Sequence, residues 1–270
     1  MPLLILLSLV ALATAALLCW PGYSLKRALV RPFPAAYSRI LRKNLPVYAR
    51  LPADLQAQLK RLIKQFLHQK EFIGCNGFQI TDEVRVTIAA KAGLLLLNRP
   101  TGVYPALKKV LVYPTVFIAP RTEMRPGGVL SHGHQSLSGE SWNDDRVILA
   151  WDHALPTREN FVPGHDVVLH EFAHQLDSES GVTNGAPLLA GKAQYRRWSA
   201  VLSQEFEALQ DAVDAGQETL IDPYGASDPA EFFAVATETF FENSSAMAYY
   251  HPALYAQLQA YYRVDPRDWN

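Results

Sequence analysis

Cysteine is scarce. The chain has two in 270 residues, Cys19 and Cys75. Cys19 falls inside an apolar run, so a structural disulfide is not expected and a thiolate zinc cage is excluded. Net charge is scarce too, at -1, which excludes a broad electrostatic attraction to nucleic acid. Charge is missing altogether from Leu3 to Trp20, and no Lys or Arg precedes that run. The missing basic leader argues against a cleaved secretory signal, as does the continuation through Leu17, Leu18 and Trp20 beyond the small residues Ala13-Thr14-Ala15. The run is about long enough to cross a bilayer core. After Pro21-Gly22 come Lys26, Arg27 and Arg31. Residues 1–22 are therefore expected to be a retained single-pass anchor in the inner or cytoplasmic membrane, with the main domain in the cytoplasm. Secretion after signal cleavage is the alternative.

What is present is apolar material, 49% of the chain, enough for one sizeable domain. The composition is basic and proline-bearing from Ser24 to about Tyr48, and Arg31-Pro32-Phe33-Pro34 reads as extended, so residues 23–48 are expected to be a linker. The domain then occupies residues 49–270. Leu55, Leu59, Leu62, Ile63, Phe66 and Leu67 share one face and mark Asp54 to Lys70 as an amphipathic helix. Thr81-Asp82-Glu83 starts a buried helix that runs from Val84 to Leu97. Leu107 to Ile118, with Pro114 inside, reads as an edge or bulged strand. Arg121 to Gly133 reads as a loop, and His132 and His134 in or beside it are expected to be solvated or to face substrate rather than bind metal. Arg146 to Trp151 is a strand expected to border a cleft, where it can pair with an extended peptide. Lys192 to Val213 is a long helix.

The chemistry concentrates in Val167-Val168-Leu169-His170-Glu171-Phe172-Ala173-His174-Gln175-Leu176-Asp177. Two histidines four residues apart leave one face of a helix together. With Glu171 directly after the first, this is the H-E-x-x-H arrangement, in which the imidazoles hold zinc and the glutamate is the general base. The bland alternative is a pair of half-buried histidines bonded to their neighbours. Against it, His170, Glu171, His174 and Asp177 interrupt an otherwise apolar helix, and burying such groups without a cation costs several kcal/mol. Asp177 and Glu238 are both candidates to orient a ligand imidazole through its other ring nitrogen; the spacing does not choose between them.

A peptidase zinc takes three protein ligands and keeps one position open. Metzincins carry a glycine and a third histidine in the loop after the second histidine; here Asp177 and Ser180 stand in those places. The third ligand must come from a later helix. Ser227 or Asp228 caps such a helix, Pro229 takes its first position, and Glu231 lies in its first turn. Phe232, Phe233, Val235, Ala236, Phe240 and Phe241 make it apolar and hence buried. A buried carboxylate needs a cation or a proton, so Glu231 is the candidate third ligand. Service to the helix N-terminus is the alternative.

The combination of His170 to Asp177, Tyr224, Asp228-Pro229-Ala230-Glu231, Phe233-Ala234-Val235 and Glu238 resembles the Mlc titration factor A family of zinc peptidases. The likeness covers most of the chain after about residue 50. That family is in turn similar to the catalytic domain of lethal factor toxins, where a tyrosine seven residues before the ligand glutamate faces the metal; Tyr224 and Glu231 have that spacing. The resemblance implies one zinc ion on His170, His174 and Glu231, with Glu171 as catalytic acid/base assisted by Tyr224. It implies an α+β, zincin-like metallopeptidase domain with a small mixed sheet, here preceded by an apolar N-terminal helix. The expected activity is zinc-dependent hydrolysis of peptide bonds, aminopeptidase-like or directed at flexible peptides. The alternatives are a protein that sequesters a transcriptional regulator, with hydrolysis secondary, and a zinc-binding domain without catalysis.

Overall fold

The computed structural model describes residues 14, 19–115, 117–125, 129–137, 139–142, 145–155 and 164–269, with the backbone course alone over 117–142. The helices are α1, described over residues 19–30, then α2 (Ala35–Asn44), α3 (Ala53–Gln69), α4 (Asp82–Leu94), α5 (Trp151–Ala154), α6 (Val167–Asp177), α7 (Lys192–Asp214), α8 (Pro229–Glu242), α9 (Ser244–Tyr250) and α10 (Pro252–Tyr262). The strands are β1 (Glu71–Gly74), β2 (Lys109–Tyr113), β3 (Phe117–Arg125), β4 (Val129–Leu137), β5 (Gly139–Trp142) and β6 (Arg146–Ala150). The architecture is α+β, mostly helical around a small sheet.

That sheet has the order β1-β2-β6-β5. β1, β2 and β6 run parallel, and β5 closes the end antiparallel to β6. Val147 to Ala150 are all buried, the pattern of a strand covered on both faces. The strand 146–150 was expected to border a cleft, but it has a neighbour on each side, so β5 is the edge. Of the region read as a loop from Arg121 to Gly133, residues 121–125 and 129–133 belong instead to an antiparallel pair, with Phe117 opposite Leu137 and Arg125 opposite Val129. Pro126, Gly127 and Gly128, which suggested a break, lie outside the described residues, and on either side of them ladder pairing satisfies the backbone groups. His132 and His134 sit in β4, and their side chains lie outside the described residues.

The expected anchor from Leu3 to Trp20 also lies largely outside the described residues. Among the described residues no helix is long and apolar enough to cross a membrane. On that finding the single-pass inner-membrane location is withdrawn, and neither the apolar N-terminal helix nor the membrane as a partner is supported. The described part of α1 carries Lys26 and Arg27. The expected linker is also largely helical. Proline interrupts it at 32, 34 and 46, and α2, between the last two, packs on α4. Leu41 is buried there, and Asn44 Nδ2 donates to Thr87 Oγ1 at 2.9 Å.

The core is built around α6, which is buried everywhere except at His170. Phe172 packs edge-on against Phe66 of α3 and against Tyr104, with ring centroids 5.6 and 4.8 Å apart. α4 lies behind α6. Its N-cap is Thr81, whose hydroxyl accepts from Val84 N. Its Lys91 is buried and pairs with Asp166 Oδ2 at 2.7 Å, while also donating to the Ala154 carbonyl at 2.7 Å. Asp166 in turn caps α6, with Oδ1 accepting from Val168 N at 3.0 Å and Leu169 N at 3.2 Å. One carboxylate thus starts the histidine-bearing helix and neutralises a buried ammonium.

Removing one partner of a buried pair strands the other charge. Lys91→Ala is therefore expected to lower the unfolding free energy by about 3 kcal/mol, read from urea denaturation. A loss under about 1 kcal/mol would show that the pair contributes no more than a surface bridge.

Candidate metal centre

Two helices, α6 and α8, meet at the site. The turn between His170 and His174 brings the ring centroids to 4.8 Å and the two Nε2 atoms to 3.1 Å. α8 begins as its sequence dictates. The Asp228 carboxylate accepts from Ala230 N at 2.8 Å and Glu231 N at 3.0 Å, and Pro229 occupies the first position, where no amide hydrogen is needed. Below that turn the helix is apolar and buried from Phe232 onward. Packing that face against α6 leaves Glu231 opposite the histidines. Glu231 Oε2 lies 3.0 Å from His170 Nε2 and 3.4 Å from His174 Nε2. The donor atoms of His170, His174 and Glu231 all lie within 4.8 Å of one another.

Seven residues after Glu231 on the same helix, Glu238 Oε1 sits 2.8 Å from His170 Nδ1. That hydrogen bond places the ring proton on Nδ1 and turns the Nε2 lone pair toward Glu231 and His174. Three lone-pair donors aimed at one point repel unless positive charge lies among them. Burial pushes the Glu231 carboxyl up, but the two rings against it, His170 and His174, outweigh that whenever they carry the extra proton and hold the group well below the usual carboxylate range. Burial works against the charged His170 ring, yet Glu231 and Glu238 raise it well above an ordinary histidine. Both directions say that the cluster demands a positive charge. A divalent cation meets that demand, and two imidazoles with one carboxylate suit zinc.

Glu171 is buried, and its charge bears on both His170 and Tyr224. Tyr224 sits in a short turn, Pro223–Ala226, that is held by Asp222 Oδ1 accepting from Tyr224 N at 2.7 Å. Its ring lies 6.2 Å from the His170 ring, and it is half-exposed. Burial of the hydroxyl, with Glu231 adding to it, pushes the phenol up to about 12. It is therefore a proton donor at neutral pH.

Sequence could not choose between Asp177 and Glu238; the structure separates them. Glu238 orients the imidazole, whereas Asp177 turns to the following loop and accepts from Gly185 N at 2.7 Å. Gly185 is held three ways. Its φ is +77°, its carbonyl accepts from Trp198 Nε1 at 2.8 Å, and a Cβ there would collide with the Pro229 carbonyl at the start of α8. This clamp ties the end of α6 to the first turn of α8. Nothing in the residue spacing announced it, because Asp177, Gly185, Trp198 and Pro229 come from four separate elements. Nor did spacing announce the partner of His165, which pairs with Asp222 at 2.8 Å.

Two imidazoles from one helical turn, a carboxylate from a second helix and a buried glutamate beside them make up a centre of metallopeptidase type. The chain belongs to the glucose-regulated metallo-peptidase M90 family, which matches residues 23–263. It is 41% identical over 248 residues to an uncharacterized Synechocystis protein, slr2042, covering 92% of this chain and 90% of that one. It is 32% identical over 226 residues to the Mlc titration factor A of Pectobacterium atrosepticum, covering 83% and 84%. To the Cronobacter sakazakii protein of that name it is 31% identical over 253 residues, covering 92% of each.

If Glu238 orients a ligand, Glu238→Gln should weaken zinc binding about 10- to 100-fold, measured by competition with a chromogenic chelator. Unchanged affinity would mean that the 2.8 Å contact does not tune the ring.

Proposed function

We propose that the protein is a zinc-dependent peptidase acting on short or flexible peptides, in which His170, His174 and Glu231 hold the metal. The observation that carries this reading is the convergence of those three donors within 4.8 Å, beside a buried Glu171. Membership of a metallopeptidase family supports it. When bound, zinc supplies Lewis acidity, acidifying water and polarising a carbonyl. The remaining steps belong to side chains. Glu171 takes the proton of the attacking water and passes it to the leaving amine. Its burial keeps the proton from exchanging freely with solvent. Tyr224, protonated at neutral pH, donates to the oxygen that gains charge as the carbonyl becomes tetrahedral. Glu238 holds the His170 ring so that the donor set stays aligned.

A second reading rests on relatives named Mlc titration factor A. By that analogy the chain binds a transcriptional regulator and hydrolysis is secondary. Size-exclusion chromatography of the purified Glu171→Gln variant with the regulator decides this. Co-elution supports the reading, and separate elution at tens of micromolar removes it.

The peptidase reading makes two demands. Glu171→Gln should retain its zinc yet lose at least about 100-fold in kcat/KM, measured on a peptide library with metal analysis of the same sample. Activity kept in that variant would remove Glu171 from the chemistry. Glu231→Ala should lower zinc content well below one per chain, and full occupancy would point to a different third ligand.

A further inference from the structure

A cavity of about 470 Å³ lies outside the metal site, between α7, residues 218–221 and the junction of α9 with α10. Its α7 wall comes from Glu205, Ala208, Leu209 and Ala212, which share one helical face. Such a face is ordinarily filled by a packed neighbour. Here two of its four residues are alanine, and the space above them stays open. Buried Leu209 and Ile221 make the floor apolar.

Two of the polar groups are carboxylates. Glu205 and Glu218 line the cavity, along with His251. His251 Nδ1 lies 2.7 Å from Glu205 Oε2, which fixes the direction of that carboxylate. Glu218 is exposed and makes no ion pair among the described residues. At the mouth stands Tyr250, 67% exposed, with its ring 4.8 Å edge-on to that of Tyr249, 78% exposed. Two adjacent exposed tyrosines offer large, stiff, amphipathic contact area, the kind enriched where proteins meet.

This chemistry selects its occupant. An anionic ligand is repelled by the carboxylates. A bare metal ion finds an apolar floor where it needs oxygens. A purely apolar group desolvates the carboxylates without replacing their water. An apolar stem ending in a cation satisfies both parts, and Lys and Arg have that shape. The tyrosine pair extends the surface beyond the reach of one side chain, which calls for a polypeptide rather than a free small molecule. We infer that the cavity and the Tyr249–Tyr250 pair form a docking site for a partner polypeptide that inserts an arginine or lysine flanked by apolar residues. The stem lies on Ala208, Leu209 and Ile221, the cationic head reaches Glu205 and Glu218, and the flanking residues rest on the tyrosines. The site adjoins the turn carrying Tyr224, since Gln210 Nε2 donates to the Ala226 carbonyl at 3.0 Å, yet it uses none of the metal donors.

The test is an NMR titration of the full chain in the Glu171→Gln background, which prevents hydrolysis of the probe. The probe is an acetylated, amidated Leu-Arg-Leu peptide, with Leu-Gln-Leu as the neutral control and butylguanidine as the free cation. Saturable shifts at the Tyr249, Tyr250 and His251 amides are expected, about tenfold weaker for the neutral peptide. Glu205→Gln with Glu218→Gln should weaken binding about tenfold, and Ala208→Trp should abolish it by filling the mouth. Tyr249→Ser with Tyr250→Ser should weaken the peptide about fivefold and leave butylguanidine unchanged. Equal binding of the neutral peptide, indifference to these substitutions, or no saturation at millimolar peptide would overturn the site. Butylguanidine binding as tightly as the peptide would overturn the polypeptide as its occupant. None of these readouts involves metal or hydrolysis, so the outcome stands apart from that of the peptidase reading.

Discussion

Everything in this structure turns on one electrostatic demand. His170, His174 and Glu231 present lone pairs to a common point that is mostly shielded from solvent. Such an arrangement is unstable by itself, and only a positive charge among the donors relieves it. The apolar contact of α6 with α8 imposes the arrangement all the same. Phe172 on one helix and Phe232 and Phe233 on the other are fully buried, and burying those side chains forces the polar ones into each other's company. Hydrophobic packing thus does work against electrostatics, and the conflict is what gives the centre its affinity for a cation.

The surrounding structure keeps that conflict from being relieved by movement. Lys91 and the carboxylate of Asp166 secure the start of α6. The Asp177–Gly185–Trp198 clamp secures its end against Pro229. Asp228 secures the first turn of α8. Trp198 is itself wedged between Phe233 and Tyr261, with centroids 5.7 and 5.4 Å away. Each anchor is a short polar contact set in an apolar surround, where a hydrogen bond is strong and costly to leave unmade. Rigidity of this sort is what a metal centre requires, since donors displaced by about half an ångström hold metal poorly.

The family assignment and the geometry bear on different questions. Family membership identifies the chain as a metallo-peptidase relative; the geometry says which atoms are placed to do that chemistry and which only hold them. Asp177 shows the difference. By sequence it looks like part of the donor cluster, one turn beyond His174. In space its hydrogen bond goes to a loop amide. The membrane anchor is a second case where pattern and structure part. A charge-free run suggested a span, but among the described residues no helix has the length and apolarity for one.

Helical periodicity and local chemistry were legible from the residues alone. The four-residue histidine spacing, the Thr81 and Asp228 caps, Pro229 at a helix start and the apolar face of α3 all act within one or two turns. Such signals depend on backbone geometry that every helix shares, so sequence by itself determined where α3, α4, α6, α7 and α8 run and which side chains are candidates for chemistry. It misread residues 121–125, 129–133 and 35–44, because proline, glycine and basic residues mark breaks on average while pairing and packing decide each case. Only the tertiary structure decided that Glu238 rather than Asp177 steadies His170, that β6 is an inner strand, and that Gly185 braces α8. Those relations join elements far apart in the chain, and their distances follow from how side-chain volumes fill the core, which no local pattern encodes.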